Sequence, residues 1–339
     1  HRLTGHSESA QPLAFTNDGR QLVTWGQGGS VRIWDVTTGE QFQLLAGHTD
    51  ALLGADLSPD GRFVVTAGQD AAVRLWDLQS PLSGRNRVEG ARRALYSSPD
   101  DRVALTAAPE TNAAVLVDAN SFELLHQLDF ELPQLGNSSS RPPFSGDASM
   151  VLGVKDFTTI LVYDVASGEL IAEHTNPDGE DGVFTWATFV QGGRRIFAGG
   201  SRGAYLLDAQ TGDLVRVFEV PDIDIYPTFS GFVAVSPDGQ YGALHTWTTD
   251  SFNVVHVWEL ETGDLVFRST PHPSDVIVAF DFSGDSRSFA WGGVENIAYV
   301  LDLRRGEEVA RFSHLDSVHG IAFSSDNHLL VTSTGGDGV

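Results

Sequence analysis

The sequence contains no cysteine among its 339 residues, so disulfide bonds and thiolate metal sites are excluded. It also lacks any apolar run as long as a transmembrane helix. Several catalytic signatures are absent as well: the His-Glu-x-x-His run, the Gly-x-Ser-x-Gly turn, the phosphate loop and the dinucleotide glycine fingerprint. These absences remove the most readily recognised metalloprotease, hydrolase and nucleotide-binding interpretations.

Positive charge is scarce, with 21 lysines and arginines against 45 acidic residues and a formal net charge of -24. A surface with this balance repels phosphate groups on average. Duplex nucleic acid and anionic membranes are therefore not expected as general partners. A protein or peptide partner, basic in character, is the expectation that this charge favours.

A repeated unit is the main positive feature of the chain. In its best copy, the turn Ser58-Pro59-Asp60-Gly61 is followed by an apolar run and then by Trp76-Asp77. Related turns recur at steps in the forties, as from Asp60 to Asp100 (40 residues) and from Asp100 to Asp147 (47 residues). A period of this length with a Trp-Asp ending predicts the blades of a β-propeller.

Each unit contains four short runs rich in β-branched and aromatic residues, which predict antiparallel strands. In the second unit these runs lie at 52–57, 62–68, 72–78 and 85–89, and the first unit has a clear outer strand at 41–46. No stretch has a sustained helical period, so we expect almost no helix. The predicted fold class is all-β, with four-stranded antiparallel blades.

The pairs Trp34-Asp35 and Trp76-Asp77, each preceded by a Gly-His pair ending at His6 or His48, resemble the WD-repeat family of β-propellers. The resemblance covers essentially the whole chain. The chain is similar to bacterial arrays of this family that are joined to signalling domains. The other units depart from the pattern: units three to seven lack the Gly-His pair, and in the first unit Gly28 stands where the second unit has Asp70.

The resemblance implies a buried polar network in the second unit, made of His48, Thr66, Asp70 and Trp76, with His6 and Trp34 as its first-unit counterparts. A buried indole N–H and a buried carboxylate each need a hydrogen-bond partner. We therefore interpret these residues as structural and not catalytic.

Eight starts of the two inner strands can be counted, and the last unit stops before its outer strands. The segment 1–6 resembles an outer strand, so we expect it to complete the last unit and close a ring of eight blades. Seven blades, with part of an adjoining ring, is the alternative. The expected blades of the single domain 1–339 are 11–47, 48–90, 91–129, 140–175, 183–220, 228–270, 275–313 and 317–339 completed by 1–6.

Acidic loops between the middle blades are the first candidate contact surface, because variable loops of such a disc are exposed. These loops have three possible interpretations. They could bind a basic partner, they could simply be solvated, or the carboxylates of the first loop could bind Ca²⁺. The candidate residues of these loops are Asp178, Glu180, Asp181, Asp222, Asp224, Tyr226 and, beside a longer turn, Trp247.

One dense basic cluster lies between the second and third units. It suggests an acidic peptide, a phosphate or, as a separate alternative, nucleic acid; a solvated loop is the simpler interpretation. The residues of this cluster are Arg85, Arg87, Arg92 and Arg93.

No catalytic constellation competes with the family resemblance, which implies a non-catalytic interaction scaffold or sensor module. We therefore expect no enzymatic activity, no cofactor, no bound metal and a cytoplasmic location. We also expect attachment to further domains, and a preceding signal peptide stays an open alternative. The alternative function is an enzyme of the quinone-dependent dehydrogenase or metal-dependent lactonase type, whose active site would lie on the propeller axis.

Overall fold

The structure is a computed structural model of the chain. It describes residues 1–6, 10–26, 28–58, 60–70, 72–78, 86–89, 96–100, 102–108, 111, 113–119, 121, 123–131, 143–179, 182–200, 203–220, 225–248, 253–270 and 277–334.

Short antiparallel strands account for nearly all regular structure in these ranges, grouped in sheets of consecutive strands. Blade 1 contains β1 (Ala10–Phe15), β2 (Gln21–Gly26), β3 (Ser30–Asp35) and β4 (Gln41–Ala46); blade 2 contains β5 (Leu52–Leu57), β6 (Phe63–Gly68), β7 (Ala72–Asp77) and β8 (Asn86–Glu89). Blade 3 contains β9 (Tyr96–Ser97), β10 (Val103–Ala107), β11 (Ala113–Asp118) and β12 (Leu124–Glu131); blade 4 contains β13 (Met150–Lys155), β14 (Thr159–Asp164) and β15 (Leu170–Thr175). Blade 5 contains β16 (Phe184–Val190), β17 (Arg195–Gly200), β18 (Gly203–Asp208) and β19 (Leu214–Glu219). Blade 6 contains β20 (Ile225–Val235), β21 (Tyr241–Thr248), β22 (Asn253–Glu259) and β23 (Leu265–Arg268); blade 7 contains β24 (Ile277–Phe282), β25 (Ser288–Gly293), β26 (Ile297–Asp302) and β27 (Glu307–Ser313). The last two strands, β28 (Val318–Phe323) and β29 (Leu330–Thr334), form a hairpin.

The strands follow the sequence prediction closely in the second unit, where all four lie within one residue of the predicted bounds at each end. The expected scarcity of helix also holds in the described ranges, where helical structure is limited to a 3-10 position at Gly179 and the short 3-10 turn Gln191–Gly193. The latter turn lies where blade 5 has Gly192 and Gly193 in the place of the acidic turn of other blades.

The first strand of each sheet lies nearest the axis, because first strands contact one another from sheet to sheet, as β1 contacts β5 and β16 contacts β20. Buried apolar residues fill the space between successive sheets. Leu105 and Leu116 of blade 3, for example, share one buried cluster with Val151 and Leu161 of blade 4. A sheet apolar on both faces and packed between two neighbours is what a propeller requires.

A recurring Ser/Thr-x-Asp turn joins the first and second strands. In blade 2, the Ser58 hydroxyl donates to Asp60 Oδ1 (2.5 Å) and accepts from the Phe63 amide (2.8 Å). The same hydroxyl-to-carboxylate bond occurs in blades 1, 3, 4, 6 and 7 and in the final hairpin, at 2.6 to 2.7 Å. The aspartates that mark the repeat in the sequence are therefore turn-forming residues.

The connections fall on two faces, since each sheet is an up-and-down meander. The turns after the first and third strands lie on one face, called here the turn face. The turns after the second strand and the connections between blades lie on the opposite face, called here the loop face.

The prediction of eight four-stranded blades is wrong for the residues that the structure describes. They form seven blades, the number given as the alternative, together with the two-stranded hairpin β28–β29. Two causes are visible: residues 1–6 form no strand, and the first strand of blade 4 is reduced to a single bridge between Phe144 and Val151. The expected outer part of the last unit, 335–339, lies outside the described residues.

The hairpin β28–β29 lies between blade 7 and blade 1. The Phe323 amide donates to Asp281 Oδ2 of blade 7 (2.9 Å), and the Asp285 amide donates to Asn327 Oδ1 (3.2 Å). On its other side, Ser325 Oγ donates to the carbonyl oxygen of Asn17 in blade 1 (3.3 Å). The hairpin is thus hydrogen-bonded to both neighbouring blades.

Candidate functional site

The four residues of the predicted polar network meet in blade 2. The Trp76 indole N–H donates to Thr66 Oγ1 (2.8 Å), and that oxygen lies 2.8 Å from His48 Nε2. His48 Nδ1 lies 2.8 Å from Asp70 Oδ1. One arrangement of protons satisfies all these contacts: Thr66 donates to Nε2, and the Nδ1–H of a neutral imidazole donates to Asp70.

The electrostatics of this network agree with a neutral histidine beside a charged aspartate. Burial lowers the pKa of His48, although the hydrogen bond to Asp70 opposes that shift. Burial acts to raise the pKa of Asp70, but the bonds from His48 and from the Thr49 and Ala72 amides outweigh it, so this pKa is lowered. Side-chain exposure is 1% for His48 and 6% for Asp70, which leaves no room for a substrate.

Blade 1 contains a shorter version of the network. His6 Nε2 lies 2.8 Å from Thr24 Oγ1, and the Trp34 indole N–H donates to the same oxygen (2.7 Å). Gly28 replaces the aspartate here, so no carboxylate stabilises the imidazolium form. Burial, followed by repulsion from the Arg32 guanidinium, lowers the pKa of His6 to about 4.

The axis, where an enzyme of this fold would have its active site, offers few chemical groups. On the described first strands, the titratable acids, bases and histidines are Asp56, Asp281 and His319. Asp281 binds the Phe323 amide, and Asp56 Oδ1 accepts from the Leu57 amide (2.9 Å). The described residues also contain no group of three or more His, Cys, Asp or Glu side chains able to hold a metal ion.

Two polar side chains form hydrogen bonds with the acidic connection between blades 4 and 5. The Tyr205 hydroxyl, buried in blade 5, donates to Asp178 Oδ2. Buried Asn176 accepts from the Asp178 amide at its Oδ1 atom (2.9 Å). Asp178 is only partly exposed, so its carboxylate is fixed at the loop face and does not swing freely in solvent.

A neighbouring turn on the same face was not anticipated from the sequence. It is the link between β13 and β14, where Asp156 (φ 51°) and Phe157 (φ 57°) both adopt left-handed backbone. Phe157 is 64% exposed. Its carbonyl accepts from the Phe184 amide, and the Thr158 carbonyl accepts from the Asn176 amide (2.9 Å). The turn is therefore bonded to both ends of the acidic connection.

For most of the other predicted contact residues, the side chain lies outside the described part of the chain. Arg87 lies in β8 with its backbone paired to Arg74, while Tyr226 lies in β20 and Trp247 pairs with Asn253; the side chains of these three lie outside the described part of the chain. The remaining candidates lie outside the described residues altogether: Glu180, Asp181, Asp222, Asp224, Arg85, Arg92 and Arg93.

Two buried histidines in blade 6 also gave no signal in the sequence. His245 Nε2 lies 2.7 Å from Asn253 Oδ1, and burial lowers the pKa of His245 to about 4. His256 is fully buried and stacks on Trp258, with ring centroids 5.4 Å apart. Burial, then the charge of Arg268, lowers the pKa of His256 to about 3.

Comparison with known families gives two matches. The sequence profile described as Cytochrome D1 heme domain matches residues 19–172, and that described as WD domain, G-beta repeat matches residues 306–339. No curated protein matches the chain. No helix in the described ranges has the length and apolarity needed to cross a membrane.

Solved structures match in large numbers, 1741 chains in all, so the architecture is widespread and does not single out one activity. One of them, the computationally designed Ika8 protein, has a TM-score of 0.74 over 99% of this chain and 96% of its own, at 18% sequence identity. Similarity at this identity supports the fold alone.

The haem-domain match can be tested on the residues that it covers. Histidine is a common protein ligand of haem iron, and the matched range contains two, His48 and His126. Both ring nitrogens of His48 contact Asp70 and Thr66, and His126 Nε2 lies 3.0 Å from the Ala166 carbonyl oxygen at the outer side of the sheet. Neither histidine lies on a first strand, so they do not fit an axial haem.

Proposed function

The chain belongs to the WD-repeat family of β-propellers, and from this premise we propose that it is a non-catalytic scaffold or sensor module that binds a basic protein or peptide. The binding surface is the loop face at the junction of blades 4 and 5. Called here the acidic junction, this surface consists of the turn at Asp156 and Phe157 and the described part of the following connection, Asn176 to Gly179.

The fixed carboxylate of Asp178 is the observation that carries this proposal. The Tyr205 hydroxyl orients this carboxylate and Asn176 holds the Asp178 backbone amide, so the carboxylate loses little conformational freedom when it binds a cation. The net charge of -24 adds long-range attraction for a basic partner and increases its association rate. Sequence neighbours Glu180 and Asp181 add two further negative charges to the same connection.

An enzyme with an axial site is the second candidate function, and the haem-domain match over residues 19–172 is what favours it. The described first strands carry few titratable groups, which favours the scaffold instead. Asp56 and Asp281 each bind a backbone amide, and such bonds compete with a role as a general base or metal ligand.

Affinity capture tests the proposed function. The protein is immobilised as wild type and as the triple variant Asp178→Lys, Glu180→Lys, Asp181→Lys, and the captured proteins are compared by quantitative mass spectrometry. The matched control is Glu40→Lys, Glu169→Lys, Asp264→Lys, which makes the same change in charge at exposed turns of the opposite face. We expect the junction variant to lose basic partners that the control retains; equal recovery by all three proteins contradicts the proposal.

We also propose that residues 1–6, although they form no regular strand, close the ring by covering the outer edge of the sheet before blade 1. The support is positional. A Cβ atom at Gly39 would meet the His1 side chain, as one at Gly168 would meet His126 of β12 and one at Gly212 would meet His174 of β15. His1 thus takes, against blade 1, the place that an outer-strand side chain of the preceding blade takes elsewhere.

A further inference from the structure

The turn at Asp156 and Phe157 combines two features that a purely structural turn does not need. Left-handed backbone disfavours residues with a Cβ atom, and bulky side chains most of all. Elsewhere in the described chain, the other non-glycine residues with positive φ are small or are asparagine: Ala148, Ser286, Asn296 and Asn327. Phenylalanine at this position is the exception.

Burial does not compensate for this unfavourable backbone. Phe157 is 64% exposed, nearly the same as the outer-strand residue Phe42 at 65%, so its ring gains little from packing. A strained backbone conformation that is not compensated by side-chain packing is found most often at binding or catalytic sites. The backbone of this turn is bonded to blade 5 through the Phe184 amide, while most of the ring stays exposed.

Two carboxylates belong to the backbone segments that adjoin Phe157. Exposed Asp156 precedes it, and the hydrogen bond between Thr158 and Asn176 brings the Asp178 loop alongside. The nearby cation Lys155 is paired with Asp129, with Nζ 2.7 Å from Oδ2. An exposed aromatic face beside carboxylates is a combination that attracts a cation with a flat surface.

The geometry points to Phe157 as the anchor of the acidic junction, recognising an arginine side chain of the partner. This inference rests on the proposed function and specifies its chemistry. The guanidinium lies over the Phe157 ring, and the carboxylates of Asp156 and Asp178 accept its N–H groups. Arginine is preferred over lysine because a planar guanidinium stacks on a ring and donates in two directions at once.

Titration calorimetry with synthetic peptides tests the anchor. The probes are three short peptides at low ionic strength, in which glycine alternates with arginine, lysine or glutamate. We expect the wild-type protein to bind the arginine peptide about threefold to tenfold more tightly than the lysine peptide, and not to bind the glutamate peptide.

The informative variants are Phe157→Asn and its matched control Phe42→Asn, which removes an equally exposed ring far from the junction. Asparagine tolerates left-handed backbone, so Phe157→Asn should keep or raise the melting temperature. We expect it to lose the preference for arginine over lysine and to weaken binding of the arginine peptide by about threefold to tenfold. Phe42→Asn should bind like the wild type.

The conservative variant Asp178→Asn separates failure of the anchor from failure of the docking surface, because asparagine still offers an oxygen to Tyr205. If Asp178→Asn weakens binding of the arginine peptide and Phe157→Asn does not, the anchor is overturned while the acidic junction stands. If neither substitution changes binding, or the wild-type protein binds neither basic peptide, both proposals are overturned.

Discussion

At the scale of single residues, the sequence predicts the polar network of blade 2 well, because its members have a characteristic chemistry and spacing. Trp76, Thr66, His48 and Asp70 meet within hydrogen-bond distance as expected. Phe157 gave no such signal. In a sequence, nothing distinguishes a phenylalanine with an exposed ring and a left-handed backbone from the many buried phenylalanines. The candidate role of Phe157 can therefore be recognised only in the three-dimensional structure.

Asp70 is expected to stabilise the fold and to take no part in binding. The variant Asp70→Ala leaves His48 Nδ1 and two backbone amides without their acceptor, which should lower the free energy of unfolding by about 1 to 3 kcal/mol. The control Asp129→Ala breaks an exposed ion pair with Lys155 and should cost less than about 1 kcal/mol. Urea denaturation measures both, and equal costs would contradict the buried role of Asp70.

His256 should make the protein sensitive to mild acid. Its folded-state pKa of about 3 lies below the ordinary value of 6.5, so the unfolded chain takes up the proton first as the pH falls. The resulting stability loss begins below pH 6.5 and amounts to about 1.4 kcal/mol per pH unit between pH 6 and 4.5.

The variant His256→Leu removes this proton uptake, so its stability should fall less steeply by that amount in urea denaturation at several pH values. The control His328→Leu changes an exposed turn residue and should keep the wild-type slope. An unchanged slope in His256→Leu would show that the buried imidazole is not responsible.

At the scale of the elements, strand positions are predicted best where turn chemistry is explicit. The strand at 41–46 follows a Thr-Gly-Glu turn, and Ser58 and Asp60 delimit β5 and β6. Blade 4 is predicted less well. Its first strand is a single bridge at Phe144, and its Asp156-Phe157 turn lacks the glycine or asparagine that signals a tight hairpin.

The turn between the first and second strands of blade 4 contains a correctable strain. Ala148 has a φ of 61° where blades 1, 2 and 6 have Gly19, Gly61 and Gly239 at 66° to 72°. The variant Ala148→Gly relieves the left-handed alanine and should raise the free energy of unfolding by about 0.5 to 1 kcal/mol. Thermal and urea denaturation measure this, and a loss of stability would show that the alanine methyl group packs usefully.

At the scale of the whole molecule, the period and the Trp-Asp pairs predict a propeller, but they do not fix the number of complete blades. Each repeat start predicts a sheet only if its outer strands are also formed. The last start yields the hairpin β28–β29, hydrogen-bonded to blades 7 and 1. The repeat predicts the function even less well than the number of blades, because proteins of many different activities share the propeller fold.

Closure by residues 1–6 has a direct consequence for stability. Deleting them removes the contacts of His6 with Thr24 and of His1 with the Thr37 carbonyl, and it uncovers a sheet edge. We expect the melting temperature to fall by several degrees, or about 1 to 3 kcal/mol. His1→Ala, which removes the second contact alone, should have a smaller effect. A deletion variant as stable as the wild type would show that the ring does not depend on this segment.

Hydrogen exchange shows which surface a basic peptide occupies, and it does so without knowledge of the natural partner. Backbone amide exchange is measured by mass spectrometry for the protein alone and with a saturating peptide of alternating arginine and glycine. We expect slower exchange at the turn containing Asp156 and Phe157 and at the amides of 176–179, with no change in the first strands. Protection confined to β5, β24 and β28 at the axis, or to the turn face, would contradict it.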